Sequence, residues 1–417
     1  MNNNSVHTLA EAESYLTQFL SSKWSYTLVR MEKLMTALGN PERKLCVIHI
    51  GGTAGKGSTC FIAASILETA GYKVGLHMSP HLISITERLM INRTPIPEKK
   101  FVSLLNKIIP IINQMKDKPT YYEITVAMMF KFFADERVDI AVVEVGLGGR
   151  LDGTNILSPA VSVITNVGLD HTDILGDTVE KIVMDKREII KADKPVVSGA
   201  TQKTVRNLII EKAASASAPL YLLDRDFTVD NVPPVSLLGR HQITNAALAI
   251  AAIEHCGLPV SPGNIHEALA HLDFPGRMEQ TTIGKTHVIL DGAHNTMKME
   301  ALSKALTDHF PNQTFPVLFA VKGDKNIAEM VKLLAPHVSH WYPTTLERQT
   351  DWGRRVMFDA RDLEKIISAA DPQKPITEVA DYKTFLKNIP ETTLLITGSL
   401  YLVGAVEEWK ENFQRHF

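Results

Sequence analysis

A chain of 417 residues with 45% apolar and 22% charged side chains can bury a large core but is too long for one typical domain. Its 44 basic and 46 acidic residues leave a formal charge of -2, so no global field selects a nucleic acid or an anionic membrane, and a small-molecule substrate fits better. The start MNNNSVHTLAEAESYLTQFL lacks a basic segment followed by an apolar run, and no stretch is long and apolar enough to span a bilayer, so a cytosolic protein is expected.

Apolar runs of five to eight residues then alternate with longer amphipathic stretches: LCVIHI, STCFIAASILETAGY, KVGLHM, DIAVVEVG and AVSVITNVG. Strands covered on both faces by crossover helices lose polar alternation and read this way, which predicts a doubly wound, mostly parallel α/β sheet around a phosphate loop. Ligands of such a sheet gather at the carboxyl ends of its strands. A shorter series, KTHVILDGA, TFPVLFAVKG and TTLLITGS, begins near Lys285 and predicts a smaller, Rossmann-like C-terminal α/β domain. The Pro-Gly pair of FPGRMEQ suits a turn between domains, so residues 1–278 and 279–417 are expected to form two domains with a cleft between them. Cys46, Cys60 and Cys256 lack the spacing of a zinc site or redox pair and read as small apolar residues.

The strongest local signal is HIGGTAGKGST, where a strand leads into four glycines around Lys56 and then into a helix. Glycines let backbone N–H groups close around phosphate oxygens, the helix N-terminus adds its positive end, a lysine reaches the terminal phosphates and a hydroxyl can hold Mg²⁺. Gly52, Thr53, Gly55, Lys56, Gly57 and Ser58 are therefore candidates for binding a nucleoside triphosphate. The spacing departs from GxxxxGK[ST], since three residues separate Gly51 from Gly55 and Gly57 follows Lys56, which argues against a motor or a GTPase switch. Glu144 ends the strand DIAVVEVG and His171 follows ITNVGLD, so two further strand ends deliver a carboxylate and an imidazole. Mg²⁺ prefers oxygen, which suits Ser58 and Glu144; His171 beside Asp170 fits an ordinary hydrogen-bonded histidine as well as a ligand.

The loop resembles the GTxGKGS loop of the Mur ligase superfamily, and LGNPERK, SPHLISITERLMIN, VEVGLGGRLDGTN, ITNVGLDHTDILGDT, GRHQITNAALA, FPGRME, ILDGAHN and GSLYLVG resemble its folate branch, the folylpolyglutamate and dihydrofolate synthases, in the same order along nearly the whole chain. The resemblance implies that His171 binds a second Mg²⁺ and that Lys186 carries a carbamate, although a solvated or salt-bridged lysine among Asp185, Arg187 and Glu188 is the plainer reading of the residues. It likens Asn245, Arg277, Asp291 and His294 to the family's nucleotide-closing groups. An amide can read adenine, a guanidinium can hold the γ-phosphate and a carboxylate can accept ribose hydroxyls. Ser79 and His81 in SPHLISITERL, and Asp152 in GGRLDGTN, resemble substrate-side groups; Asp152 would meet the pterin, while DGTN alone equally fits a turn aspartate. Three positions depart from the family pattern: Ala54 replaces Asn, Gly153 replaces Ala, and MDKREIIK replaces an EKAGI-like stretch.

The implied activity is ATP-dependent joining of L-glutamate to dihydropteroate and to reduced folates, with Lys56, Lys186, Arg277 and His294 as catalytic candidates. A carboxylate resists amine attack until phosphorylation supplies a leaving group, so an acyl phosphate is expected. ATP, two Mg²⁺ ions, glutamate and pterin substrates are the expected partners, with no nucleic acid or membrane, and a monomer is expected. The rivals are a folylpolyglutamate synthase without the first activity, a ligase acting on UDP-muramyl substrates, and a nucleotide switch without ligase chemistry.

Overall fold

The computed structural model describes residues 5–20, 27–322, 325–350, 353–356, 358–389 and 393–414. The chain forms two compact units, Met1–Ser236 with Gln242–Leu272, and Leu237–His241 with Asp273–Phe417. The division expected from sequence fell between residues 278 and 279, within the turn-and-strand segment that opens the second sheet.

The first unit is built on eight strands: β1 (Val47–Gly51), β2 (Val74–His77), β3 (Met90–Ile91), β4 (Thr94–Pro95), β5 (Ile140–Glu144), β6 (Val161–Ile164), β7 (Val196–Ser198) and β8 (Leu220–Leu222). They lie in the order β4-β3-β2-β5-β1-β6-β7-β8. The strands from β2 to β8 pair in parallel, and β3 and β4 add an antiparallel edge. Every residue of β1 and β5 is buried, as continuous apolar runs in a doubly covered sheet require. The chain leaves β1 toward β2 on one side and later crosses from β5 to β6 on the other. The carboxyl ends of β1, β5 and β6 therefore converge at a topological switch point, where an α/β sheet opens a crevice.

Helix Lys56–Thr69, directly after β1, is buried from Ser58 to Leu67, and an all-round apolar helix needs cover on every side. Helix Tyr121–Glu136 carries a capping box in which Thr120 accepts from Glu123 N while Glu123 reaches back to Thr120 N. The same Glu123 pairs with buried Arg30 Nε at 2.8 Å, tying helix Val29–Ala37 to this helix. All three cysteines are free thiols.

The second unit holds β9 (Glu279–Ile283), β10 (Thr286–Leu290), β11 (Phe315–Phe319), β12 (Val338–Pro343), a hairpin of β13 (Glu347–Thr350) and β14 (Gly353–Val356), and β15 (Thr393–Thr397). Its main sheet runs β12-β11-β15-β10-β9, parallel except for the β9–β10 pair. A core of Leu302, Leu306, Phe319, Met330, Trp341, Leu363 and Leu395 packs against it. Trp341 is fully buried and its Nε1 donates to the buried Asp371 at 2.9 Å. Trp341→Phe keeps one aromatic ring but removes the donor and the volume of the second ring, leaving a buried carboxylate oxygen unpaired beside a cavity; urea unfolding should show a loss of about 2–5 kcal/mol.

Candidate active site

The loop after β1 is shaped by backbone it cannot avoid. Gly52 has φ of 139°, and a Cβ there would lie 2.0 Å from Thr165 Oγ1, so only glycine lets the loop pass the end of β6. That end supplies the loop's partners: Thr53 N donates to Asn166 O at 3.0 Å, Ala54 N to Asn166 Oδ1 at 2.9 Å, and Thr165 Oγ1 to Ala54 O at 2.6 Å. Gly55, in the left-handed region, opens the helix Lys56–Thr69. Gly57 and Ser58 fall in its first turn, where unpaired N–H groups and the helix dipole favour an anion. Asn245, buried on helix Arg240–Glu254, turns Oδ1 toward Gly55 and donates Nδ2 to Gln242 Oε1 at 2.9 Å.

Glu144, the last residue of β5, pairs with Ile50 across the sheet and so arrives beside this loop. Its Oε1 lies 4.0 Å from Lys56 Nζ and its Oε2 accepts from Ser79 N at 3.0 Å. Ser79, expected at the pterin, is thus also brought to the carboxylate expected to hold metal. His171 caps the short helix Thr172–Leu175 in a left-handed conformation, with its N–H on Asp170 Oδ1 at 3.1 Å and Nε2 3.9 Å from the same oxygen. Among the described residues no group of three or more His, Cys, Asp or Glu could hold a metal. A hydroxyl and a single carboxylate nevertheless form the hard oxygen set that suits Mg²⁺ sharing a site with phosphate.

Lys186 ends helix Val179–Lys186, is 5% exposed, and donates Nζ to Gly52 O at 3.0 Å. Burial, reinforced by the nearby Lys56 charge, lowers its pKa to about 7 against the pull of Asp170, Asp185 and Asp152. The glycines of GLGG explain how the loop after β5 reaches this helix end: a Cβ on Gly149 would meet Lys186 O at 2.8 Å and Asp185 O at 2.9 Å.

Asp152 is buried and caps the short helix Gly153–Ile156. Its Oδ1 accepts from Tyr122 Oη at 3.2 Å, Thr154 N at 2.9 Å and Thr154 Oγ1 at 2.5 Å, and its Oδ2 from Leu147 N at 2.9 Å. It is therefore a turn aspartate, with one acceptor position left on Oδ2. Burial raises its pKa and these donors oppose the rise. His81 Nδ1 accepts from the buried Arg88 Nε at 3.0 Å, and the Arg88 guanidinium lies over the Tyr121 ring.

The second unit gathers its own group where β10 ends. Asp291 Oδ2 accepts from Met278 N at 3.0 Å and its Oδ1 from Ala293 N at 2.9 Å, while Gly292 N donates to Gly276 O at 3.0 Å. The bonds at Met278 N and Gly276 O clamp the turn that presents Arg277, whose Nη1 donates to Gly276 O at 3.2 Å and whose guanidinium lies over Phe274. Burial raises the pKa of Asp291, and Arg277 counters it. Lys298 Nζ donates to His294 Nε2 at 3.0 Å, which leaves His294 Nδ1 to donate to Gly292 O at 2.8 Å and fixes a neutral tautomer. His241, not singled out from sequence, has its pKa lowered to about 4 by burial and by the Arg277 charge.

The fold and this site define the class: a glycine loop with lysine at a switch point, a carboxylate on the adjoining strand end, and a second α/β unit are the parts of a Mur-type ligase. The Mur ligase middle domain matches residues 50–220, and the Mur ligase, glutamate ligase domain matches residues 276–400. The chain is 33% identical over 414 residues to the dihydrofolate synthase/folylpolyglutamate synthase of Bacillus subtilis, covering 91% of this chain and 94% of that protein. The structure of Escherichia coli FolC in complex with DHPP and ADP superposes with a TM-score of 0.87 at 28% identity, covering 98% and 99% of the two chains. Mycobacterium tuberculosis folylpolyglutamate synthase complexed with ADP gives 0.88 at 27% identity, covering 96% and 98%. The chain belongs to the dihydrofolate synthase/folylpolyglutamate synthase family of the Mur ligase superfamily, and it is an ATP-dependent ligase.

Thr165, Asn166, Asp170 and Tyr122 lie at the site but were not singled out from the sequence. The Thr-Asn pair directly after the apolar run AVSVI was the available signal for the first two; Tyr122, inside an apolar helix, offered none. The glycine contacts generate a paired prediction. Gly149→Ala should cost about 1–3 kcal/mol and depress activity, because backbone must move away from Lys186. Gly153→Ala should keep activity and gain about 0.5 kcal/mol, since its Cβ would meet nothing closer than 3.7 Å. Thermal unfolding and a turnover assay on both variants check the contrast.

Proposed function

We propose that this ligase joins L-glutamate both to dihydropteroate and to reduced folates, forming ADP, phosphate and a new amide. The observation that carries the reading is the convergence of the glycine loop, Glu144 and the buried Lys186 at three neighbouring elements of one switch point. The substrate carboxylate attacks the γ-phosphorus of ATP, ADP leaves, and the resulting acyl phosphate is opened at its carbonyl carbon by the glutamate amine, which loses a proton as phosphate departs. Lys56, the loop amides and Arg277 neutralise charge on the phosphoryl group. Ser58 and Glu144 would hold Mg²⁺, and His171 a second ion; bound there, such ions would screen phosphate charge. Asn245 and Asp291 serve the nucleoside, and His294 is a further catalytic candidate. Asp291 does so while clamping the Arg277 turn, so its loss removes two supports at once. Ser79, His81 and Asp152 serve the pterin side, Asp152 through Oδ2, and the protein works as a monomer with residues 1–278 and 279–417 as its functional domains.

An amine whose pKa is brought down to about 7 is suited to carbamate formation, because only the neutral amine attacks CO₂. Lys186 is therefore proposed to be carbamylated. At fixed CO₂ pressure, ¹³C labelling should rise as pH increases through about 7, where the ammonium gives up its proton, and should be absent in Lys186→Met; a label that is unchanged in this variant overturns the assignment.

The activity is tested with ATP, Mg²⁺ and glutamate, offering dihydropteroate and tetrahydrofolate separately and resolving products by mass. Amide product from both is expected, whereas product from tetrahydrofolate alone removes the first activity. Glu144→Gln and Lys56→Met should each lower kcat by roughly 100-fold with an unchanged thermal midpoint.

A further inference from the structure

A layer of buried polar side chains runs beneath the substrate-side loops and joins Asp152 to a histidine 103 positions earlier in the chain, in the middle of an otherwise apolar strand. β1 and β2 flank β5, and His49 and His77 both pair with Val143, so the two imidazoles lie on one face of the sheet. Both are completely buried. His77 Nδ1 bonds Arg88 O at 2.7 Å and its ring lies 6.5 Å from that of Tyr122, whose hydroxyl donates to Asp152. His49 Nε2 lies 2.8 Å from Thr154 Oγ1.

Proton inventory fixes the direction of this chain. The Asp152 carboxylate accepts only, so the single hydroxyl proton of Thr154 is committed to Asp152 Oδ1. Thr154 Oγ1 must then accept from His49, which places the imidazole proton on Nε2 and leaves Nδ1 as a bare lone pair without a partner. Burial and the charges of Lys191 and His77 hold the His49 pKa down to about 3, so the ring stays neutral and this tautomer persists at working pH. An imidazole buried in a central strand with one nitrogen unsatisfied is a costly element for packing alone, where valine or leucine would serve.

We propose that His49 and Thr154 are positioning residues for pterin recognition: the relay His49 Nε2–H to Thr154 Oγ1–H to Asp152 Oδ1, met by Tyr122 Oη–H, fixes the carboxylate so that Oδ2 presents its remaining acceptor position to an aminopyrimidine edge. The inference rests on the reading of Asp152 as the pterin contact. It adds a specificity determinant on β1, the strand that also carries the phosphate loop.

The test compares Thr154→Val, Thr154→Ser, His49→Leu, His49→Gln and Asp152→Asn by steady-state kinetics, with KM for dihydropteroate and for ATP measured separately and the thermal midpoint recorded. Thr154→Val and His49→Leu should raise the dihydropteroate KM about tenfold while the ATP KM stays within about twofold. Thr154→Ser and His49→Gln, which restore a hydroxyl and a donor at the Nε2 position, should recover most of that loss. Asp152→Asn without effect on the dihydropteroate KM would sink the reading of Asp152 itself. A raised KM in Asp152→Asn with Thr154→Val and His49→Leu unchanged would leave Asp152 in place and overturn the relay. Both KM values rising together with a fall in thermal midpoint would reduce the layer to a structural role. Thr154→Val is nearly isosteric, so the relay remains testable if His49→Leu does not fold.

Discussion

The side-chain nitrogen of Lys186 lies buried beneath the phosphate loop and donates to Gly52 O. Much of the first unit's site depends on the approach that this contact requires. The loop after β1 must come down onto a lysine, and the loop after β5 must press its backbone against the same helix end, where Gly149 has no room for a Cβ; at Gly52 it is Thr165, at the end of β6, that excludes one. Burial disfavours the charged form of an amine, and it is the main cause that lowers the Lys186 pKa to about 7. The protein keeps this amine where Lys56, Asp170, Asp185 and Asp152 all act on it, so any change of charge at the phosphate loop is felt at Lys186.

The second unit solves a different problem with different means. An arginine that must present its guanidinium cannot be fixed by its own long side chain, so the backbone beside it is fixed instead. Asp291 holds Met278 N and Gly292 N holds Gly276 O, one bond on each side of Arg277. Arg277 in turn stabilises the charge of Asp291 and adds to the burial that keeps His241 neutral. A carboxylate expected from sequence to meet a ribose is therefore engaged in holding the turn, and the sequence held no sign of that, because Asp291 and Met278 are brought together only by the β9–β10 pairing.

The sheets were legible because burial on both faces leaves long apolar runs, and each run named from sequence falls on a strand among β1, β2, β5, β6, β10, β11 and β15. Short antiparallel pieces such as β3 and β4, two residues each, carry no period to detect. The phosphate loop was legible because its glycines answer a local steric demand. Tyr122, Thr165 and Asn166 were not, because their roles come from partners that are distant in sequence: Ala54 N meets Asn166 across 112 positions, and Tyr122 meets Asp152 across 30. The segment Leu237–His241, which clusters with the second unit although first-unit residues follow it, is likewise invisible to any reading that cuts the chain once.

Ala54 shows how far a departure from a family's pattern can be judged once the contacts are known. Its N–H is held by the Asn166 side chain and its C=O by Thr165 Oγ1, so the course of the loop at this point is set by its backbone and by the end of β6. A side chain at position 54 is not needed to shape the loop, and the smaller residue leaves the cradle of N–H groups intact. MDKREIIK is a larger departure in letters, yet it ends its helix with Lys186 Nζ on Gly52 O and places Arg187 and Ile189 in the interior. What the segment must deliver is one buried amine at one height beneath the loop. Burial is what lowers the pKa of that amine, so the segment answers a demand on burial more than on sequence.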